Sequence, residues 1–91
     1  MSTPRFSVIP GVGFHDQLAC EWLKDHRVTH ALNRLDMVLR TMGDQVGKSF
    51  LHQGRTYRYV RYRGYQLTYE VLPDDCIVRL HDIRQFPGAD G

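Results

Sequence analysis

Hydrophobic residues with helical spacing fill the first half of the chain. From Phe14 to Trp22 they recur every four positions, which predicts a helix over residues 14–26 with Trp22 packed in the core. A second stripe, with a period of about 3.6 residues, predicts another helix over residues 28–42 that Gly43 ends. Because the link between the two stripes is short, we expect the helices to form a hairpin.

Strict alternation replaces helical spacing in the stretch YRYVRYRGYQLTYEV, residues 57–71. Alternation is typical of strands, and glycine accepts the positive φ of a tight turn, so the stretch predicts a β-hairpin that turns at Arg63 and Gly64. In the first strand, one face carries Tyr57, Tyr59 and Arg61, and the other carries Arg58, Val60 and Tyr62. In the second strand, the face expected to be buried carries Tyr65, Leu67, Tyr69 and Val71, and the opposite face carries Gln66, Thr68 and Glu70.

The remaining segments complete an α+β domain. Residues 5–9 predict a first strand, residues 43–54 a loop, and residues 76–83 the last strand. Residues 86–91 are predicted to form a flexible C-terminal tail. The order is an N-terminal strand, a two-helix hairpin and a three-stranded antiparallel meander. We therefore expect a single domain over residues 1–91, with the helices on one face of a small sheet.

Basic residues are concentrated around the start of the hairpin. Residues 1–47 carry five basic and five acidic side chains, whereas residues 48–63 carry five basic side chains and no acidic one. These five are Lys48, Arg55, Arg58, Arg61 and Arg63. Arginine matches phosphate oxygens and aromatic rings stack on bases, so this charge among tyrosines suits a polyanion such as RNA. The alternative is an exposed sheet that arginine keeps soluble.

Composition argues against several other classes of protein. No apolar run is long enough to cross a membrane, and the N-terminus lacks the apolar segment of a signal peptide, so a cytoplasmic location is expected. Cys20 and Cys76 are expected to be reduced and buried. The predicted helix break separates His26 from His30, and neither cysteine has a CxxC partner, so no metal site and no cofactor is predicted.

Four polar residues lie where neighbouring strands would bring their ends together. Arg61 lies late in one strand, Gln66 early in the next, and His81 and Arg84 at the end of the last. Such a cluster can hold a phosphodiester and stabilise negative charge during cleavage, and histidine can exchange a proton near neutral pH. The alternative for each is a solvated sheet residue. We predict Arg61, His81 and Arg84 as catalytic residues, and Lys48, Arg55, Arg58, Arg63 and Gln66 as RNA-binding residues.

The hairpin also resembles a known family. The string GYQLTYEV, residues 64–71, resembles the GYRLVYEV strand of the RelE/ParE/HigB family of bacterial toxins. Residues 47–51 (GKSFL) and 54–59 (GRTYRY) are similar to the segment that leads into that strand. The family also has the order of strands and helices predicted here.

The resemblance implies the toxin of a type II toxin–antitoxin system, a ribosome-dependent endoribonuclease that cleaves messenger RNA in the ribosomal A site and is blocked by a cognate antitoxin. Gln66 stands where the family has arginine, and the chain ends soon after Phe86, where several RNase members carry a closing helix with a tyrosine. These departures favour the alternative of a ParE-like inhibitor of DNA gyrase that acts by binding protein. A third interpretation is a non-toxic RNA-binding or interaction module on the same fold, because fold does not fix function.

Overall fold

The computed structural model describes residues 5–86, which form two helices and a five-stranded sheet. The strands are β1 (Ser7–Pro10), β2 (Lys48–His52), β3 (Arg55–Tyr62), β4 (Tyr65–Leu72) and β5 (Ile77–Gln85), and the helices are α1 (Phe14–Lys24) and α2 (Arg27–Met42). A short 3₁₀ turn, Pro73–Asp75, joins β4 to β5. The α+β class is confirmed. The tail predicted over residues 86–91 lies outside the described residues, apart from Phe86.

The sheet has one strand more than predicted. Its order is β1-β5-β4-β3-β2, with β1 parallel to β5 and the other neighbours antiparallel. The prediction of a loop over residues 43–54, with only three strands after the helices, is wrong because β2 pairs with β3. All five residues of β2 are exposed, so it lacks the alternation of buried and polar positions by which strands are recognised. Gln53 and Gly54, both at positive φ, form the tight turn into β3.

The predicted β3–β4 hairpin is confirmed. Tyr62 faces Tyr65 across a two-residue turn in which Arg63 has φ 50° and Gly64 has φ 83°. Positive φ at both central positions is typical of a type I′ turn, whose twist matches that of the flanking strands. The turn therefore fixes which residues of the two strands face each other.

The core lies between the helices and one face of the sheet. Helix α2 buries Val28, Ala31, Leu35 and Leu39 of its predicted apolar stripe, whereas Val38 and Met42 of that stripe are exposed. The sheet contributes chiefly Tyr65, Leu67 and Tyr69 of β4 and Val78, Leu80 and Ile83 of β5. Removing this apolar surface from water is the main driving force for folding. Within the described residues, neither helix has the length and apolar character needed to cross a membrane.

Helix α1 differs from its prediction in length and in the face that it buries. It ends at Lys24 rather than at residue 26, because Asp25 is extended with φ −157° and ψ 114°. Trp22, predicted to pack in the core, is 41% exposed. The buried residues are Phe14 and Glu21, which lie close to two full turns apart. The repeat of apolar residues every four positions therefore follows the edge of the buried face instead of its centre.

Both cysteines are free, but both are exposed, so the prediction that they are buried is wrong. Cys20 directly precedes the buried Glu21, and one step along a helix rotates the side chain by about 100°. Cys76 follows the 3₁₀ turn at φ 55°, and β5 begins one residue later than predicted, at Ile77. Neither position lies on a face that the core covers.

Side chains of the central strands hold the loop between α2 and β2. The Tyr69 hydroxyl lies 2.8 Å from the carbonyl oxygen of Gly43 and 3.1 Å from that of Val46. Arg58 Nη2 donates to the same Val46 oxygen at 2.8 Å. Gly47 follows at φ 71°, and an added Cβ there would lie 2.1 Å from a carbonyl oxygen of β3. Only glycine fits such a close approach at this backbone angle.

Gln17 of α1 covers a strand edge that β1 leaves open. The pairing of β1 with β5 ends at Leu80, three residues before Ile83. Ile83 N donates to Gln17 Oε1 at 2.6 Å, and Gln17 Nε2 donates back to Ile83 O. A free edge invites pairing with other chains, so the amide takes the place of a neighbouring strand.

Candidate nucleic-acid interface on the open sheet face

The sheet face opposite the helices carries most of the predicted site, and we call it the open face. Residues directly opposite each other on paired strands lie on the same side of a sheet. Arg61 is opposite Gln66, Gln66 is opposite Arg84, and Lys48 is opposite Tyr59. Within β2, β3, β4 and β5, the polar and aromatic residues of the open face are Lys48, Phe50 and His52 of β2, Arg55, Tyr57, Tyr59 and Arg61 of β3, Gln66, Thr68 and Glu70 of β4, and Arg79, His81, Asp82 and Arg84 of β5.

Arg61, Gln66 and Arg84 form a row across three strands, which we call the arginine row. Arg61 Nε donates to Gln66 Oε1 at 3.0 Å. The Arg61 guanidinium carbon lies 3.9 Å from the ring centroid of Phe86 and 5.2 Å from that of Tyr59, within the range of cation–π attraction. These contacts restrain Arg61, whereas the Arg84 side chain is 69% exposed. The structure thus brings together three of the residues that the sequence singled out.

His81 reaches the open face through a β-bulge. Thr68 pairs with Asp82, but the next residue of β4, Tyr69, pairs with Leu80, so His81 is the extra residue of β5. Bulges re-aim side chains and occur often beside functional sites. The exposed His81 ring lies 5.1 Å from that of Tyr57. His81 is thus on the predicted face, beside an aromatic ring.

The basic residues of 48–63 are divided between surfaces. Lys48 and Arg55 lie on the open face with the arginine row. Arg58 lies on the side of the helices, where it binds the Val46 carbonyl oxygen. Arg63 lies in the hairpin turn, and its Nε donates to the Tyr62 hydroxyl at 3.1 Å. The structure therefore does not bring Arg58 and Arg63 together with the other predicted RNA-binding residues.

Aromatic rings lie beside these basic groups. Phe50 of β2 stacks on Tyr57 with ring centroids 5.8 Å apart, and it lies 6.0 Å from the ring of Tyr59. The His52 ring is 6.3 Å from Tyr57. Aromatic side chains of this kind are the usual platforms for bases of single-stranded nucleic acid. The open face thus offers stacking surfaces next to cationic donors.

An ion cluster around a buried carboxylate on this face was not predicted. Glu70 is only 7% exposed, and its carboxylate accepts from Arg55 Nε and Nη2 at 3.0 and 2.9 Å and from Arg79 Nη2. Burial acts to raise the pKa of Glu70, but the ion pairs with Arg79 and Arg55 outweigh it and lower the pKa from its ordinary value. The sequence did contain a signal for this cluster: Arg79 alternates with Val78 and Leu80, which are buried, and so faces the same side of the sheet as Glu70.

The open face is suited to binding an anion. Its guanidinium and amide groups donate hydrogen bonds to phosphate oxygens, and its rings can stack on bases. Among residues 5–86, no three His, Cys, Asp or Glu side chains come together as a possible metal site. The fold and this surface define an α+β domain with an exposed, basic and aromatic sheet. No protein-family model, curated protein or solved structure matches the chain.

Proposed function

We propose that the chain is the toxin of a type II toxin–antitoxin system of the RelE/HigB kind, a ribosome-dependent endoribonuclease that cleaves messenger RNA. The observation that carries the proposal is the arginine row beside Tyr59 and Phe86 on the open face. Two arginines and an amide at that spacing can hold one phosphodiester, and adjacent rings can hold its bases. This activity places the chain in the cytoplasm, with a cognate antitoxin as its partner.

In the proposed reaction, Arg61 and Arg84 stabilise the negative charge that develops on the phosphate oxygens during cleavage. Gln66 positions Arg61 through its hydrogen bond to Nε. His81 takes a proton from the attacking oxygen or returns one to the leaving oxygen, since histidine side chains can exchange protons near neutral pH. The ribosome supplies the messenger RNA in an extended, single-stranded form.

Primer extension on messenger RNA from cells that express the chain tests the proposal directly. Discrete new 5′ ends are expected with the wild-type chain and are expected to disappear with Arg61→Ala and Arg84→Ala. Arg27→Ala is the matched control, because Arg27 is 86% exposed and pairs with Asp25 next to the helices. Exposed substitutions change stability by less than about 0.5 kcal/mol, so thermal unfolding should be similar for all variants. Growth arrest with intact messages would contradict the proposal.

Binding of RNA should depend steeply on salt. Each phosphate contact with a single strand contributes a slope of roughly −0.7 to log K against log salt concentration. Lys48→Ala and Arg55→Ala should each reduce this slope, whereas Arg58→Ala should act mainly on stability, because Arg58 holds the loop at Val46. Fluorescence anisotropy with a short single-stranded RNA measures the affinity and its salt slope, and thermal unfolding measures the stability. Affinity that does not change with salt would exclude phosphate contacts as its source.

Inhibition of DNA gyrase is the second candidate function, and apolar groups on the helices favour it. Met37, Val38 and Met42 of α2 and Leu23 of α1 are exposed, and exposed apolar residues are typical of protein-binding surfaces. A supercoiling assay with purified gyrase separates the two functions. Under this alternative, Met37→Ser should reduce inhibition and His81→Ala should not. No inhibition at any concentration of the chain excludes gyrase as its target.

A further inference from the structure

A cleft opens between the open face and the segment that joins β1 to α1. It has a volume of about 470 Å³, within the range of about 300–1,000 Å³ typical of small-molecule sites. The residues of interest in its lining are Val12 of the segment, Arg55 and Tyr57 of β3, Glu70 of β4, and Arg79 and His81 of β5. The arginine row does not contribute to this lining.

The polar part of the cleft is a pair of arginines fixed on one carboxylate. Arg55 Nη2 and Arg79 Nη2 both donate to Glu70 Oε1, so a single oxygen atom brings the two guanidinium groups together. Glu70 neutralises one of the two positive charges. Among the described residues, the side-chain hydrogen bonds of Arg79 use Nη2 alone and those of Arg55 use Nε and Nη2. Donors on both arginines therefore stay available to an anion, and their geometry is set in advance.

The other walls are aromatic and apolar. The rings of Tyr57 and His81 lie 5.1 Å apart at one side, and the bulge in β5 directs His81 there. Val12 is fully exposed. The segment that carries it is held against β5, since Gly11 N donates to Leu80 O at 2.8 Å and an added Cβ on Gly11 would lie 2.7 Å from that oxygen. The walls are thus part of the fold.

We propose that this cleft binds a nucleoside monophosphate, with its phosphate on Arg55 and Arg79 and its base against Tyr57 and His81. A guanidinium pair suits a phosphate because each fork donates two hydrogen bonds to tetrahedral oxygens. An aromatic wall at the same site selects an anion that carries a planar ring. The group can be a free nucleotide or the terminal nucleotide of an RNA strand, and the two present the same chemistry. The cleft shares Arg55 and His81 with the proposed RNA surface but contains no residue of the arginine row, so Arg79→Ala tests the cleft apart from RNA cleavage.

Isothermal titration of the full chain with AMP tests the inference. Adenosine and inorganic phosphate are the two partial ligands, and each is expected to bind at least tenfold more weakly than AMP. Arg79→Ala should weaken AMP binding about 10- to 100-fold, as loss of a charge-assisted hydrogen bond does. Arg55 still binds both oxygens of Glu70 in this variant, so the fold should persist. Arg27→Ala, outside the cleft, should bind AMP like the wild type.

Tyr57→Ala provides a second test that leaves the ion cluster intact, and it should weaken AMP binding without changing that of phosphate. A tetranucleotide with a 5′-phosphate, compared with AMP, identifies the source of the nucleotide. Binding of AMP or the tetranucleotide that Arg79→Ala weakens at least about tenfold supports the inference. No binding of either ligand overturns it, as does equal binding by phosphate and AMP or binding that Arg79→Ala leaves unchanged. Cleavage of messenger RNA is a separate readout: a wild-type chain that cleaves messenger RNA but binds neither AMP nor the tetranucleotide rejects the cleft site and leaves the proposed function standing.

Discussion

Two buried tyrosines on the same face of β4 should respond in opposite ways to the same substitution. Tyr69 is 0% exposed, and its hydroxyl contacts the carbonyl oxygens of Gly43 and Val46. In Tyr69→Phe, Val46 keeps the hydrogen bond from Arg58 but Gly43 loses its side-chain partner. Loss of a hydrogen bond that leaves a buried carbonyl unpaired costs about 1–2 kcal/mol. For a domain of this size, Tm should fall by roughly 5–10 °C.

Tyr65 supplies the matched control. It is 4% exposed, and within residues 5–86 its hydroxyl has no hydrogen-bond partner. Burial raises the pKa of Tyr65. Gln85 and Asp25 lie near enough to the hydroxyl to affect this pKa, but neither is in hydrogen-bonding geometry with it. Removing an unpaired buried hydroxyl relieves a desolvation cost. Tyr65→Phe should therefore be neutral or should raise the free energy of unfolding by up to about 1 kcal/mol.

Urea denaturation followed by far-UV circular dichroism measures both variants, and thermal scans give Tm. The m-values should equal that of the wild type, which shows that the unfolded state is unchanged. If Tyr65→Phe destabilises the chain as much as Tyr69→Phe does, the assignment of hydrogen bonds in this part of the core is wrong.

Three further predictions concern backbone, pH and thiols. Gly47→Ala adds a clash with β3 to the strain of positive φ and should lower the free energy of unfolding by more than about 2 kcal/mol. Gly64 has open space around it, so Gly64→Ala should lower it only by the backbone strain of about 1–2 kcal/mol. Equal losses for the two variants in urea denaturation would contradict this. The pKa of Glu70 is lower in the folded state than its ordinary value of 4.5, so the ionised carboxylate stabilises the fold above pH 4.5 and this stabilisation is lost as pH falls through the folded pKa. The free energy of unfolding should therefore drop below about pH 4.5, and it should drop less in Glu70→Gln. Native protein should react rapidly with a thiol reagent at both Cys20 and Cys76, and protection of either until unfolding contradicts their exposure.

The pairing of Arg61 with Gln66 on the open face could be predicted from the sequence because it follows from one short turn. A two-residue turn at Arg63 and Gly64 pairs residues symmetrically about it, so Arg61 must face Gln66. The same rule places Arg58 opposite Tyr69, on the buried side. Alternation alone therefore separated Arg58 from Arg61. The prediction of one RNA-binding group for all five basic residues of 48–63 relied on their closeness in sequence and so ignored that Arg58 and Arg61 lie on opposite faces.

The strand β2 and the orientation of α1 could not be obtained in the same way. Strand patterns depend on burial of one face, and Phe50 and Leu51 are both exposed at the edge of the sheet. In α1, Trp22 is the largest apolar residue, but the sheet buries the line from Phe14 to Glu21. Which face of a short helix is covered depends on where the neighbouring strand lies, and the Gln17 contact with Ile83 shows how α1 is fixed on β5.

The contribution of β5 is the least predictable because two local features set its register. The 3₁₀ turn, Pro73–Asp75, gives a longer link than a tight hairpin, so the pairing of β4 with β5 is not symmetric about a known point. The bulge then shifts the register by one residue at His81. Arg84 faces Gln66 beyond the bulge, and Arg79 faces Glu70 before it. If β5 kept His81 but paired with β4 in a regular ladder, one of these pairs would be lost, since a shift of one position moves side chains to the other face. The bulge therefore accommodates His81 while one strand serves both the arginine row and the ion cluster. Both pairs should persist in His81→Ala, and also after deletion of His81, because that deletion leaves a regular ladder with the same partners.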